Sequence, residues 1–524
     1  MTQRFHLGRR AGMLLPLSCV RGKNGDIGSY TDAGAVARWL RTGGCSMWQL
    51  LPLNEVSPGQ DSPYAASSSL ALEPVYIDLS QVPELGGDHA LTLEEQDKLT
   101  AARALRVTDF GAFREVKRSA LARAFVAFKE RELKTGSSRA QQFGAFREEM
   151  KSWIEEFALY RALHDRRHKS WRDWEPGLRD RDPSALTAAR AELKDAIDEV
   201  VFVQWIAHGQ WLAGRKAANA VGVKVLGDLP FMVAEDSADV WGLQRFFRFD
   251  ATVGVPPDAY AADGQDWGLP VPRWDEMRDH GDPWLRARSD RAAALYDAFR
   301  VDHVIGLYRT YARPLAPGPG MPRPTPYFVP SEEPLQRNQG ERILVLMGEK
   351  ADVLAEDLGT VPDFLRSSLG GLGIPGTKVL RWEVDNGVPR DVRHFPQISL
   401  AVTGTHDAES LHDWWSALLD WEKQLQKQQE PLRGLSDGDV DAFTPRTRDA
   451  LLDLAYSSSS DALLVPVIDA LGWPDRINIP GTVGPHNWTW RLPWSVGGQL
   501  ESATEAQDMN ERLRRLAEKH ARIR

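Results

Sequence analysis

The stretch Phe299-Arg300-Val301-Asp302-His303, followed by Gly306, decides the fold. Its apolar alternation ends in an aspartate, and Arg300 lies two residues earlier on the same face of a predicted strand. A cation beside a carboxylate favours the ionised form of that carboxylate at neutral pH. A structural salt bridge explains this stretch equally well, so other acids in the chain must decide between the two interpretations.

Two more acids follow short apolar runs. Glu356 comes directly after Val353-Leu354-Ala355, and Asp407 comes shortly after Ala401-Val402-Thr403. In a closed barrel of parallel strands, the carboxyl ends of all strands meet at one rim, and catalytic residues lie there. Three acids at three strand ends therefore predict an active site on a (β/α)8 barrel.

Composition limits the class of protein. The chain has 524 residues, 42% of them hydrophobic, and a bare barrel needs only about 250, so large insertions are expected. A net charge of −9 does not favour a nucleic-acid partner, and no apolar run approaches the roughly 18 residues of a membrane span. Two cysteines are too few for a disulfide framework, which favours the cytoplasm. No obligate protein partner is indicated.

The N-terminal region has two interpretations. Arg9-Arg10 followed by the apolar segment Ala11 to Cys19 could be an export signal. Alternatively, Met13 to Leu17 is the first barrel strand, followed by an amphipathic helix from Asp32 to Arg41. We expect the strand, because Met47 to Leu53 has the same buried character and cleavage after residue 18 would remove part of the barrel.

The rest of the chain is predicted to form one catalytic barrel over residues 1–524 without a C-terminal β domain. A helical insertion over about 85–200 follows the second strand, a loop-rich insertion over about 235–295 follows the third, and a proline-rich rim loop covers about 312–340. The remaining strands are predicted at Val223 to Phe231, Phe299 to Asp302, Val353 to Ala355, Thr377 to Trp382, Ala401 to Thr403 and Asn487 to Leu492.

Further candidate residues lie in the loops at the same rim. Tyr64 ends the loop Asp61-Ser62-Pro63-Tyr64, Asp228 lies at the exit of the third strand, and Trp267 lies in a glycine-rich segment. No phosphate-binding glycine motif follows a strand, so no nucleotide cofactor is expected. No calcium-loop, H-E-x-x-H or paired-cysteine pattern occurs either, so we expect no metal and no other cofactor.

With these residues assembled, the chain resembles the 4-α-glucanotransferases called amylomaltases or disproportionating enzymes, which are relatives of the α-amylases. The resemblance extends over nearly the whole length and is specific because many short segments match in order. The matching segments are Ala11 to Leu17, Trp48 to Leu53, Ser62 to Tyr64, Gly227 to Pro230, Asp236 to Trp241, Pro256 to Asp258, Gly264 to Gly268, Arg300 to His303, Ala355 to Gly359, Thr405 to Asp407, Ile479 to Thr482 and Asn487-Trp488.

The resemblance implies that α-1,4-glucan segments are moved from maltooligosaccharide, starch or glycogen donors to the 4-hydroxyl of an acceptor sugar. In such enzymes the aspartate matching Asp302 attacks the anomeric carbon, and the glutamate matching Glu356 protonates the departing oxygen. The aspartate matching Asp407 holds hydroxyls of the distorted sugar. The substrate-binding positions implied are Tyr64, Asp228, Trp267, Arg300, His303 and His406.

Some positions depart from the family pattern and concern the outer sugar subsites. His303-Val304-Ile305-Gly306 stands where His-Phe-Arg-Gly is usual, and Ala408-Glu409-Ser410 stands where Asn-Asp-Thr is usual. Glu73 and Leu269 each replace an asparagine. Two other functions stay open at this point: a retaining α-glucan hydrolase, which uses the same acids, and a non-catalytic glucan-binding protein, which has no need of them.

Overall fold

The computed structural model describes residues 8–87, 90–257, 263–318 and 320–523. Asp258, part of one segment matched above, lies outside these residues. The strands are β1 (Arg10–Leu14), β2 (Met47–Gln49), β3 (Lys224–Leu229), β4 (Phe247–Val255), β5 (Gln265–Pro272), β6 (Ala298–Val301), β7 (Thr310–Pro314), β8 (Tyr327–Val329), β9 (Asp352–Ala355), β10 (Gly376–Val379), β11 (Val384–Asp385), β12 (Val388–Pro389), β13 (Ser399–Val402) and β14 (Ala462–Pro466).

The α-helices surround the strands and also form a separate group between β2 and β3. They are α1 (Ala33–Thr42), α2 (Leu93–Ala104), α3 (Phe110–Phe128), α4 (Ser138–Glu149), α5 (Ile154–Arg167), α6 (Pro176–Arg179), α7 (Pro183–Glu192), α8 (Lys194–Ala220), α9 (Ala238–Gly242), α10 (Trp274–Asp279), α11 (Pro283–Leu295), α12 (Ile305–Tyr308), α13 (Glu333–Met347), α14 (Asp363–Leu372), α15 (Leu411–Ala417), α16 (Asp420–Lys427), α17 (Asp437–Asp441), α18 (Pro445–Ser457), α19 (Val467–Leu471), α20 (Gln499–Ser502) and α21 (Thr504–Lys519).

A closed barrel of eight parallel strands lies at the centre, in the order β1-β14-β13-β10-β9-β6-β3-β2. The prediction of a (β/α)8 barrel is therefore confirmed. Its strands read as short apolar runs because both faces of a parallel sheet are buried. A cluster of buried side chains contributed by seven of the strands packs together, formed by Met47, Leu226, Ala298, Leu354, Val379, Leu400, Val402, Ala462 and Leu464.

The eighth strand was predicted in the wrong place. Asn487 to Leu492 is not one of the barrel strands. Trp488 has a left-handed backbone (φ 67°), which interrupts an extended segment, and its ring packs against Tyr64 and His406. The barrel is closed instead by β14, whose residues are all buried. The first strand lies three residues earlier than the predicted Met13 to Leu17. It spans Arg10–Leu14 and ends before Pro16, whose ring nitrogen has no hydrogen to donate to a neighbouring strand.

Two of the predicted insertions contain more regular structure than their sequences indicated. The stretch predicted to be loop-rich carries β4 and β5, which join β7 and β8 in an antiparallel sheet of order β5-β4-β7-β8. The proline-rich segment likewise includes β8 and runs into α13. Its prolines hid these elements, because proline is tolerated at a sheet edge and in the first turn of a helix.

The helical insertion packs against the barrel through α8. This helix contacts α1, α5 and β3, and it buries Phe202, Trp211 and other apolar residues along its length. Within the described residues, none of the helices is both long and apolar enough to cross a membrane.

Candidate active site

Asp302 and Glu356 are neighbours because their strands are paired in register. Val301 of β6 pairs with Ala355 of β9, and each acid is the next residue. The amide of Glu356 donates to the carbonyl of Val301 at 3.0 Å, which continues the ladder to the first acid position. Since paired strands lie about 4.8 Å apart, the two acids leave the barrel side by side.

Arg300 connects the predicted nucleophile to a buried aspartate. Asp228 of β3 pairs in register with Arg300 of β6, and the guanidinium binds both carboxylate oxygens of Asp228 at 2.8 and 2.6 Å. The same guanidinium donates to Asp302 at 2.8 Å. The side chains of Arg300 and Asp228 are 7% and 0% exposed, whereas that of Asp302 is 30% exposed. The buried Arg300–Asp228 ion pair thus lies beneath the accessible carboxylate of Asp302 and supports it.

Tyr64 reaches this ion pair from the loop after β2. Its hydroxyl donates to Asp228 at 2.5 Å and accepts from Arg300 at 3.3 Å. Its ring stacks on His406, with centroids 5.2 Å apart and planes 17° apart. Trp488 packs against both rings at 5.9 and 5.8 Å. Tyr64 therefore connects the Arg300–Asp228 ion pair to the loop that carries His406 and Asp407.

Glu356 is held by backbone donors. The amide of His303 donates to its carboxyl group at 2.7 Å, and the amide of Leu358 donates at 3.2 Å. His303 has φ 46°, a left-handed conformation that a residue other than glycine adopts at some cost in energy. The ring of His303 contacts Trp267 edge-to-face at 4.7 Å and Phe231 at 5.7 Å.

Asp407 lies beyond β13 and is fixed by two loops. Nε2 of His406 lies 3.2 Å from one of its carboxylate oxygens, and the side-chain amide of Asn478 donates to the other at 2.6 Å. Arg476 donates to its backbone carbonyl at 2.8 Å. The Asp407 side chain is 43% exposed, while that of His406 is 3% exposed. The acid thus faces the opening while its support is buried.

The three acids differ in charge preference. Burial raises the pKa of Asp302 to about 6, although the positive charge of Arg300 acts against this rise. Burial also raises the pKa of Glu356, and the negative charge of Asp302 raises it further, to about 8. Burial acts to raise the pKa of Asp407, but the positive charge of His406 and the hydrogen bonds from His406 and Asn478 outweigh this effect. They lower the pKa of Asp407 to about 2. At neutral pH the site therefore favours one protonated acid beside two carboxylates.

The nine residues singled out in the sequence form two contact groups, one around Arg300 and Asp228 and one of Glu356, His303 and Trp267. The pairing of β6 with β9 brings the two groups together, although the roles of the residues stay predictions. Sequence reasoning missed Arg476, Asn478 and the packing role of Trp488. Asn478 directly precedes the matched segment Ile479 to Thr482, and Trp488 belongs to another matched segment, so each was marked by its neighbours. Among the described residues, no group of three histidine, cysteine or acidic side chains could hold a metal ion. The absence of a metal requirement stays a prediction.

Comparison with known proteins gives one consistent answer. The model of the 4-alpha-glucanotransferase family matches residues 15–496. The 4-alpha-glucanotransferase of Thermus thermophilus is 32% identical over 99% of this chain and 100% of its own, and the chloroplastic/amyloplastic enzyme of Oryza sativa subsp. japonica is 31% identical over 93% and 80%. An amylomaltase from Streptococcus agalactiae, solved with acarbose, is 25% identical, covers 98% of this chain and 100% of its own, and gives a TM-score of 0.82. This chain belongs to the 4-alpha-glucanotransferase family.

Proposed function

We propose that the chain transfers α-1,4-glucan segments by double displacement with retention of configuration. The substrates are maltooligosaccharides and starch- or glycogen-type glucans. The nucleophile is Asp302, the acid and base is Glu356, and Asp407 holds hydroxyls of the distorted sugar. Tyr64, Trp267, His303 and His406 line the bound sugar, while Arg300 and Asp228 support the nucleophile.

In the first step a carboxylate oxygen of Asp302 bonds to the anomeric carbon. The bond from that carbon to the glycosidic oxygen breaks, and Glu356 gives its proton to the departing oxygen. In the second step the 4-hydroxyl of an acceptor attacks the same carbon, Glu356 takes the hydroxyl proton, and the ester to Asp302 breaks. Retaining enzymes hold such a pair about 5 to 5.5 Å apart, too close for a water between them.

The observation that carries this proposal is the unequal support of the two neighbouring acids. The guanidinium of Arg300 contacts Asp302 and favours its charged form. Burial and the neighbouring charge of Asp302 favour the protonated form of Glu356, and they outweigh the hydrogen bond from the backbone amide of His303. Pairs of acids whose surroundings separate their pKa values are typical of acid–base assignments in glycosidase sites. A protein that only binds glucan has no need of this arrangement.

Aromatic surface around the acids also supports a sugar-binding role, because the apolar face of a sugar ring packs against aromatic rings. The aromatic side chains of Tyr64, Trp267 and Trp488 supply apolar surface at the same opening, which favours transfer over hydrolysis by keeping water from the ester.

Incubation with maltotriose tests the function. We expect glucose together with maltopentaose and longer chains, because each transfer shortens one molecule and lengthens another. The total number of reducing ends should stay constant while maltotriose disappears, which separation of the products and a reducing-end assay both measure. If reducing ends rise in step with substrate loss and no product exceeds maltotriose, the chain is a hydrolase.

The pH dependence of transfer should be bell-shaped. Activity requires Asp302 ionised, so it falls as pH drops below the raised pKa of about 6. Activity also requires Glu356 protonated, so it falls as pH rises above about 8. Initial rates at low maltotriose concentration, measured between about pH 4 and pH 10, report both limbs for the free enzyme. In Glu356→Gln the alkaline limb should disappear; an unchanged limb would assign that pKa elsewhere.

We further propose that the protein acts in the cytoplasm as a single catalytic unit over residues 1–524, with the segments near 85–200, 235–295 and 312–340 as insertions. The state of the cysteines supports this location, because Cys19 and Cys45 are both free and buried. No partner beyond the glucan substrates is required by the proposed chemistry.

A further inference from the structure

The loop of residues 403–410 carries His406 and Asp407 between β13 and α15, and both of its ends contact one buried pair of charges. Arg381 follows β10, and Asp469 lies in α19, so neither belongs to the loop. Their side chains are 0% and 2% exposed, and Nη2 of Arg381 lies 3.8 Å from the carboxylate of Asp469. Nothing in the proposed chemistry uses either residue.

Arg381 binds backbone carbonyls at both ends of this loop. Its Nε and Nη2 donate to the carbonyl of Thr403 at 3.1 and 3.0 Å. Its Nη1 donates to the carbonyl of Glu409 at 2.8 Å and to the Glu409 carboxylate at 3.1 Å. A planar guanidinium has five donors in a fixed arrangement, so these bonds fix the separation of the loop ends as well as their positions.

Asp469 binds the same two ends through its own oxygens. The hydroxyl of Thr403 donates to one oxygen at 2.6 Å, and the amide of Leu411, the first residue of α15, donates to the other at 2.7 Å. The carboxylate therefore contacts the start of the loop and the start of the helix that follows it. Together the two charged groups form a closed network around the base of the loop.

Gly404 shows how closely the chain passes this network. A Cβ atom at this position would lie 2.6 Å from Nη2 of Arg381 and 3.4 Å from the Asp469 carboxylate. The first distance is well inside van der Waals contact, so a side chain here would displace the guanidinium. The loop can approach Arg381 only because residue 404 is glycine.

We infer that Arg381 and Asp469 are positioning residues that set the place of Asp407 in the active site; this inference rests on the proposed role of Asp407. Asp407 is exposed to the opening; His406 and Asn478 contact its carboxylate, and Arg476 and Thr405 contact its backbone, so its place depends on where its loop lies. A displacement of about 1 Å in a catalytic group can cost roughly 10²-fold in rate. The inference also gives a role to Glu409, one of the departures from the family pattern, because its carboxylate reaches Arg381.

A double-mutant cycle tests this coupling. Arg381→Met keeps the apolar stem and removes the donors, and Asp407→Asn removes the charge that the loop positions. With maltotriose we expect Arg381→Met to lower kcat by about 10- to 100-fold, with a smaller change in KM. In the Asp407→Asn background the same substitution should cost less than about 3-fold, because the residue it positions is already lost.

Multiplicative effects in the double variant, or an unchanged kcat in Arg381→Met, would overturn the inference. A normal kcat in Asp407→Asn would instead remove Asp407 from the mechanism and contradict the proposed function.

Arg381→Lys, which restores the charge with fewer bonds, should recover part of the lost kcat. If Arg381→Met does not fold, Gly404→Ala displaces the same guanidinium, and its effect should likewise vanish in the Asp407→Asn background.

Arg522→Met is the matched control for a buried arginine. Arg522 is 0% exposed and binds the carbonyls of Tyr456 and Ser458 before β14, at the end of the barrel opposite the acids. We expect this variant to lose thermal stability while its folded molecules keep the normal kcat. If Arg522→Met loses as much kcat as Arg381→Met, the effect of Arg381→Met comes from a general loss of stability and the positioning role is wrong.

Discussion

Asp302→Ala should lower transfer from maltotriose by about 10⁴-fold or more, because a nucleophile and its proton donor act as one unit and the covalent route is lost without either. Glu356→Gln should reduce the same rate by at least about 10²-fold, the lower range for a general acid. Both side chains face the opening of the site, so thermal unfolding midpoints should stay close to that of the unmodified protein.

Chemical rescue separates these two roles. With α-glucosyl fluoride, whose leaving group needs no proton, Glu356→Gln should form the glucosyl ester at a rate far closer to normal than Asp302→Ala. Added azide should react with Asp302→Ala and α-glucosyl fluoride to give β-glucosyl azide, since a single displacement inverts the anomeric centre. In the Glu356→Ala variant azide should instead resolve the ester and give the α-azide. The opposite anomers would exchange the assignments of the two acids.

Asp228→Asn should have the largest effect on stability among single substitutions in the site. Removing one charge from a buried ion pair costs about 3 to 5 kcal/mol when the other is left uncompensated. Asp302 still contacts the guanidinium of Arg300 at 2.8 Å, so we expect a loss at the lower end of this range. Arg300 is 7% exposed and gives two of its bonds to Asp228, so water cannot replace the lost charge. Activity should fall too, because Arg300 and Tyr64 lose the partner that orients them toward Asp302.

Urea denaturation of Asp228→Asn measures the change in the free energy of unfolding, and Asp26→Asn provides the control. Asp26 also accepts two bonds from one arginine, Arg103, at 2.9 and 3.0 Å, but the two side chains are 28% and 30% exposed. Solvent screens such a pair, so its loss should cost no more than about 1 kcal/mol. Equal destabilisation in the two variants would mean that burial does not determine the strength of the Arg300–Asp228 pair.

The barrel and its three acids could be predicted because each acid follows a short apolar run, a pattern that is local in the sequence. The place of the closing strand could not. Asn487 to Leu492 alternates aromatic and polar residues like a strand, but the left-handed backbone at Trp488 interrupts it and it is not one of the barrel strands. Arg381 and Asn478 were missed because their partners, Thr403 and Asp407, are distant in the chain, and local patterns carry no signal of such contacts.

The pairing of β1 with β14 has a consequence for biosynthesis. Arg10 pairs with Ala462 and Leu14 with Pro466, so the first strand to leave the ribosome must wait for the last one before the ring is complete. Until then the growing chain presents two open sheet edges, which can pair with other chains. Contacts of such high sequence separation slow folding. We therefore expect the glucan site to form only after synthesis is nearly complete, and chains released before Ala462 to be inactive and prone to aggregation.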